Sequence, residues 1–281
     1  MLQSLNKSIV KIASLGVVLS GLLLLAACSG SADDRAQSYY ERGMKLLTQQ
    51  DYVKAGIEFR NALQLKQNLV GAWRGLAQIE ERSSQNPKNL VAIQRTIVEL
   101  DPNDFDAKLK LARLLLFANS LDDALNVANA ADELNKQNAG VYGLKAIILA
   151  KLGDASGAVR EAKAALDLDP ANNEGIAVLA SERLAQGDAK GALALVESDL
   201  AGSMANDIGV QLFKLRIFEQ MGDTQRVEAV LRKLIELYPQ QPAFRRALVQ
   251  HYLNQQHPEE AEKELYSLAA ANPWTSKPPW T

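Results

Sequence analysis

The chain has 281 residues and near-balanced charge, with 31 basic residues against 33 acidic ones and a formal net charge of −2. With no basic field to attract phosphate, nucleic acid is not expected as a partner. A single cysteine, Cys28, rules out an internal disulfide, and its place at the end of an apolar leader leaves no thiol elsewhere for Cys–His nucleophilic catalysis. Hydrophobic content of 47% with only 6% aromatics points to alanine-rich, close-packed helices.

In chain order, residues 1–27 come first. Lys7 and Lys11 precede an apolar run from Ile12 to Ala27 with no acid, the pattern of a secretory leader. Sixteen apolar residues span about 24 Å as a helix, less than the roughly 30 Å of a bilayer core, so an uncleaved span is the weaker reading. The run closes on Leu25, Ala26, Ala27 and Cys28, which resemble the bacterial lipobox. That resemblance implies cleavage before Cys28 and lipidation of its thiol. It also implies a periplasm-facing, membrane-anchored protein, and Ser29 after the cysteine leans the location toward an outer membrane. Cleavage leaves 29 basic residues against 33 acidic ones, a mature charge of −4. Residues 28–35 (CSGSADDR) are small and polar and read as a lipidated flexible tether.

From Ala36 to about residue 275 one plan recurs roughly every 34 residues, the sign of a repeat architecture. Its clearest copy runs from Ala139 to Asn172. Tyr142, Lys145, Ala146 and Leu149 form one helical stripe, Gly153-Asp154 makes a turn, and Ala158, Ala162 and Ala165 share a face of a second helix. Asp169-Pro170 stops that helix. Copies start near 36, 70, 105, 139, 173, 208 and 242, although the second loses the repeat's paired alanines in Leu90–Leu100, where Ala92 alone remains, and carries Gln85-Asn86-Pro87 in place of the tight turn. Small residue, Gly-Asp turn, paired alanines and closing proline resemble the tetratricopeptide repeat family. The expected fold is an all-α right-handed solenoid of about seven helix-turn-helix repeats.

The family resemblance also implies where a partner binds. In such arrays the first helices line a concave groove, and their second, fifth, ninth, twelfth and thirteenth positions face it. Carried onto this chain, those positions include Tyr40, Met44, Arg74, Gln78, Arg82, Arg113, Lys151, Arg216, Gln220, Arg246, Gln250 and Asn254. The set is more basic than the chain and would favour an extended acidic protein segment, since arginine pairs bidentately with carboxylates. Asp106, Glu81, Glu174 and Glu219 share these positions, so solvated helix faces are the competing reading. The Lys-Asn clamp of chaperone-binding members is not reproduced.

Catalytic signals are weak. His251 and His257 are the only histidines and are not expected to share a helix face, the glycines read mainly as hairpin turns with no phosphate-binding loop among them, and Asp122-Asp123 and Glu259-Glu260 fall at expected helix starts where acids favour the dipole. No cofactor or metal is expected, and the chain reads as a non-enzyme. Residues 276–281 read as an irregular tail that leaves the last repeat uncapped, as expected of a truncated longer array or of an open edge that docks on another protein.

Cys28-Ser29-Gly30-Ser31 followed by Tyr39–Lys66 (YYERGMKLLTQQDYVKAGIEFRNALQLK) is similar to the opening of tetratricopeptide-repeat lipoproteins of exopolysaccharide and PEP-CTERM systems. A pilus-assembly lipoprotein of the same repeat type is the second resemblance. These imply a scaffold for exopolysaccharide export or surface protein sorting, with pilus biogenesis or outer-membrane assembly as the alternative.

Overall fold

The computed structural model describes residues 31–83, 87–198 and 206–270. Leu25, Ala26, Ala27, Cys28 and the tail at 276–281 lie outside them. Among the described residues there are fourteen helices and no strand. They are α1 (Ala32–Thr48), α2 (Tyr52–Leu65), α3 (Val70–Ser83), α4 (Pro87–Leu100), α5 (Phe105–Phe117), α6 (Leu121–Asp132) and α7 (Ala139–Leu152). The series continues with α8 (Ala155–Leu168), α9 (Asn173–Ala185), α10 (Ala189–Ser198), α11 (Ile208–Met221), α12 (Thr224–Leu237), α13 (Pro242–Asn254) and α14 (Pro258–Ala270). The chain divides into two compact units, Met1–Ser120 and Leu121–Thr281.

One turn design recurs. Two residues before the second helix of a hairpin the chain takes the left-handed conformation, and the residue in between caps the new helix. Gly153, Gly187 and Gly222 hold φ values of 85°, 85° and 68°, and the aspartates after them accept from Gly157, Gly191 and Arg226 N–H at 2.9, 2.8 and 3.0 Å. An L side chain in this region costs about 1–2 kcal/mol, which explains glycine there. Yet Gln50 and Gln256 adopt φ of 63° and 62° at the equivalent turns. First helices are capped in the same way: Asp104, Asn138, Asn172 and Asp207 accept from the N–H three residues on.

In the first unit, α1 pairs with α2, and α3 with α4. Phe59 is fully buried and stands between Gly43 of α1 and Gly75 of α3. A Cβ at Gly43 would lie 2.6 Å from Phe59 Cε1, so the two glycines are the room this ring occupies. Ala72, Ala62 and Leu63 complete that core, and Ala77, Ile93, Ile97 and Ala107 form the next.

In the second unit, α7 pairs with α8, α9 with α10, α11 with α12 and α13 with α14. Ala146, Ala158 and Ala162 are all buried at the α7–α8 crossing, where small side chains let helix axes approach to about 8–10 Å. Asn172 donates to the Ala139 carbonyl at 3.4 Å, which ties the start of α9 to the start of α7. Larger apolar residues build the following layers, among them Ile176, Ile217, Phe218, Leu234 and Leu248.

One expectation is corrected. Residues 32–35, the end of the expected flexible tether, are helical, because α1 begins at Ala32; residues 28–30 of that tether lie outside the described residues. Ser31 Oγ accepts from Asp34 N–H at 3.0 Å and Asp34 accepts from Ser31 N–H at 2.9 Å, a reciprocal capping box that starts the helix early.

Candidate functional site

In the first unit, α3, α4 and α5 enclose an open cleft of about 670 Å³. Its floor is Ala77, Gln94, Ile97 and Ala107, and Gln94 donates to the Ala107 carbonyl at 3.1 Å. Arg74 and Gln78, both expected at the groove, line it. Arg74, however, is engaged: its Nη2 lies 2.9 Å from Asp101 and 2.6 Å from Asp104. Lys110 pairs with Glu81 at 3.2 Å. With Asp106 also on the rim, four carboxylates face two cations.

The groove expected to be basic is therefore acidic in balance at this cleft. Asp101 and Asp104 come from the connection between α4 and α5, which a count restricted to first-helix positions leaves out. Asp104 is doubly occupied, since it also caps α5 through Ala107 N–H at 2.9 Å. Burial alone would raise its carboxyl, but that N–H and the Arg74 guanidinium hold it below the usual carboxylate range. Asp104 in turn raises the Arg74 guanidinium.

Other expected positions are dispersed. Tyr40 is half-buried, with its ring over Gly71 and 6.1 Å from that of Phe59, so it packs α1 against α3. Met44 is exposed, and Arg82 stacks on the Tyr52 ring at 5.4 Å. Arg113 is exposed on α5.

In the second unit, Lys151 borders a cleft of about 390 Å³ between α7, α8 and α9, with Ile147, Ala150, Val178, Ser181 and Glu182 among its walls. Gln220 is not a free contact residue, because its amide donates to the Leu184 carbonyl at 3.0 Å and ties α11 to α9. Arg216 is exposed. Gln250 and Asn254 line a cleft of about 380 Å³ with Leu215, Phe218 and His251, and they hydrogen-bond to each other at 2.8 Å. Arg246 borders a different opening, beside Pro239, Pro242 and Leu265.

Sequence reasoning placed Lys145 on a helix stripe without a partner. It is buried, with Nζ 3.0 Å from Asp132 of α6 and 3.2 Å from Glu161 of α8. Burial would lower its ammonium, but the two carboxylates outweigh that and raise it. His251 lies in α13 and His257 in the turn beyond it, and no group of three metal-ligating side chains occurs among the described residues.

Two kinds of comparison agree with this geometry. A family model described as tetratricopeptide repeat matches residues 91–148 and 219–274. The chain thus carries tetratricopeptide repeats, in an all-α fold of the tetratricopeptide solenoid class. Similar solved structures include a tetratricopeptide repeat protein from Parabacteroides merdae ATCC 43184, at 13% identity and TM-score 0.66, covering 85% of this chain and 94% of that one. Pseudomonas aeruginosa pilF aligns at 15% identity and TM-score 0.57, over 80% of this chain and 98% of its own. PilW, described as a widely conserved type IV pilus biogenesis factor, aligns at 18% identity and TM-score 0.58, over 76% and 98%. No curated protein matches the sequence significantly.

Proposed function

We propose that the protein is a lipid-anchored, non-catalytic scaffold of the cell envelope that grips a partner protein along its first helices. The observation that carries this is the recurrence of open clefts between successive hairpins in both units, each floored by small or apolar residues and rimmed by polar ones. Such surfaces suit an extended or helical segment. The lipobox-like Leu25–Cys28 supports the anchor and the periplasm-facing location, with lean toward the outer membrane.

Exopolysaccharide export or surface protein sorting is the process favoured by the opening residues Tyr39–Lys66. Pilus biogenesis is the second reading, favoured by the likeness to pilF and PilW along nearly their whole lengths.

The test is photo-crosslinking in intact cells from Gln78 and Lys151, one in a cleft of each unit, with Arg95 of α4 as an exposed control outside both. A defined protein captured from the cleft positions and not from Arg95 is expected. Equal capture at all three, or none, would refute the groove. A deletion strain that loses pili and keeps polysaccharide would select the second process.

A further inference from the structure

The capping box at Ser31 sets a limit on the position of the first hairpin. From Cys28 to Ser31 there are three Cα steps, which reach about 10 Å at full extension. The helix they would hold, α1, has 17 residues and is about 25 Å long. A leash shorter than the body it holds restricts where that body can go.

The same end of the hairpin is identified by its contacts. Lys66 at the end of α2 reaches Asp33 in the first turn of α1, with Nζ to Oδ2 at 3.0 Å. Trp73 of α3 donates through Nε1 to the Gln67 carbonyl at 2.8 Å. The start of α1, the end of α2 and the start of α3 therefore form one face.

The geometry points to this face being apposed to a lipid surface: the α1 start, Lys66, Gln67 and the neighbouring Trp73 lie against the bilayer that holds Cys28. The inference rests on the lipid-anchor reading above. The exposed charges are Asp33, Asp34, Arg35 and the partly exposed Lys66, two of each sign. Apposition is accordingly set by leash length and not by attraction to anionic headgroups, and it does not weaken with salt. A partner held in the cleft of the first unit is then a component reachable at the membrane surface.

Trp73 is a built-in reporter. The full lipidated chain, with Trp274 and Trp280 changed to Phe so that Trp73 is the only remaining tryptophan, is reconstituted into phosphatidylcholine vesicles containing a dansyl-headgroup lipid. Energy transfer from Trp73 is expected to be strong and equal at low and high salt. It should fall at least two-fold when twenty Gly/Ser residues are inserted after Gly30, a linker with a root-mean-square span of about 25 Å. Acylated protein whose transfer is weak, or unchanged by the linker, overturns the apposition alone. Protein that carries no acyl group on Cys28 by mass spectrometry, or a Cys28→Ala variant that still partitions with vesicles, overturns the anchor reading and the apposition with it.

Discussion

Gly43→Ala separates two effects of opposite sign. In an exposed helix interior the change stabilises by about 1 kcal/mol, because alanine loses less backbone entropy. At this position the new Cβ would stand 2.6 Å from Phe59 Cε1 and 2.7 Å from Cδ1, against an optimum of about 3.5–4.0 Å for carbon pairs. Phe59 is fully buried, and Gly75 of α3 touches the opposite edge of its ring, so the ring has nowhere to retreat. Overpacking of this kind costs about 1–3 kcal/mol. With the steric term in the upper part of that range, the expected net is a loss of about 1–2 kcal/mol, or a few degrees in Tm. Phe59→Leu removes the ring atoms Cε1 and Cζ. In that background Gly43→Ala should become stabilising, by about 1 kcal/mol. Urea denaturation of the four variants gives the answer. The same sign in both backgrounds would show that the glycine is not there for the ring.

Gln256→Gly should stabilise by roughly 0.5–1 kcal/mol, the left-handed penalty less the entropy glycine gains when unfolded; a lowered Tm would refute the strain. Lys145→Met leaves Asp132 and Glu161 facing each other without a cation, at a cost of about 2–4 kcal/mol at pH 7. Urea melts of the parent and the variant at pH 7 would check it. Asp154, whose carboxyl is lowered by the Gly157 N–H and then by Ser156, adds stability present above the ordinary carboxylate pKa and lost as pH falls through its folded value. Asp154→Asn keeps a capping side chain, so it should leave the neutral Tm nearly unchanged and flatten its decline below about pH 4.

Much of the fold was legible because a hairpin repeats local rules. Gly153-Asp154, Gly187-Asp188 and Gly222-Asp223 each announce a left-handed stop followed by a cap, and Ala158, Ala162 and Ala165 mark the face that must be small. Gln50 and Gln256 sit in the same conformation without the glycine that advertises it, and the Asp34 half of the capping box looked like polar tether. The candidate site was less legible. Its charge depends on which chain segments meet, and Asp101 and Asp104 reach Arg74 from a connection. Lys145 finds one of its carboxylates on α6, a helix of the preceding repeat. Such pairings follow from packing, which no periodicity in the sequence prints.

The two aspartates on Arg74 bear on selectivity. An acidic segment entering that cleft would exchange one anion for another around the guanidinium, and would meet Glu81 and Asp106 unpaired with it. The exchange is close to neutral in charge, so a merely acidic chain gains little and is repelled at the rim. What the cleft rewards is shape and hydrogen bonding that the internal aspartates do not supply. An arginine held by two aspartates offers a polyanion less than an open one would.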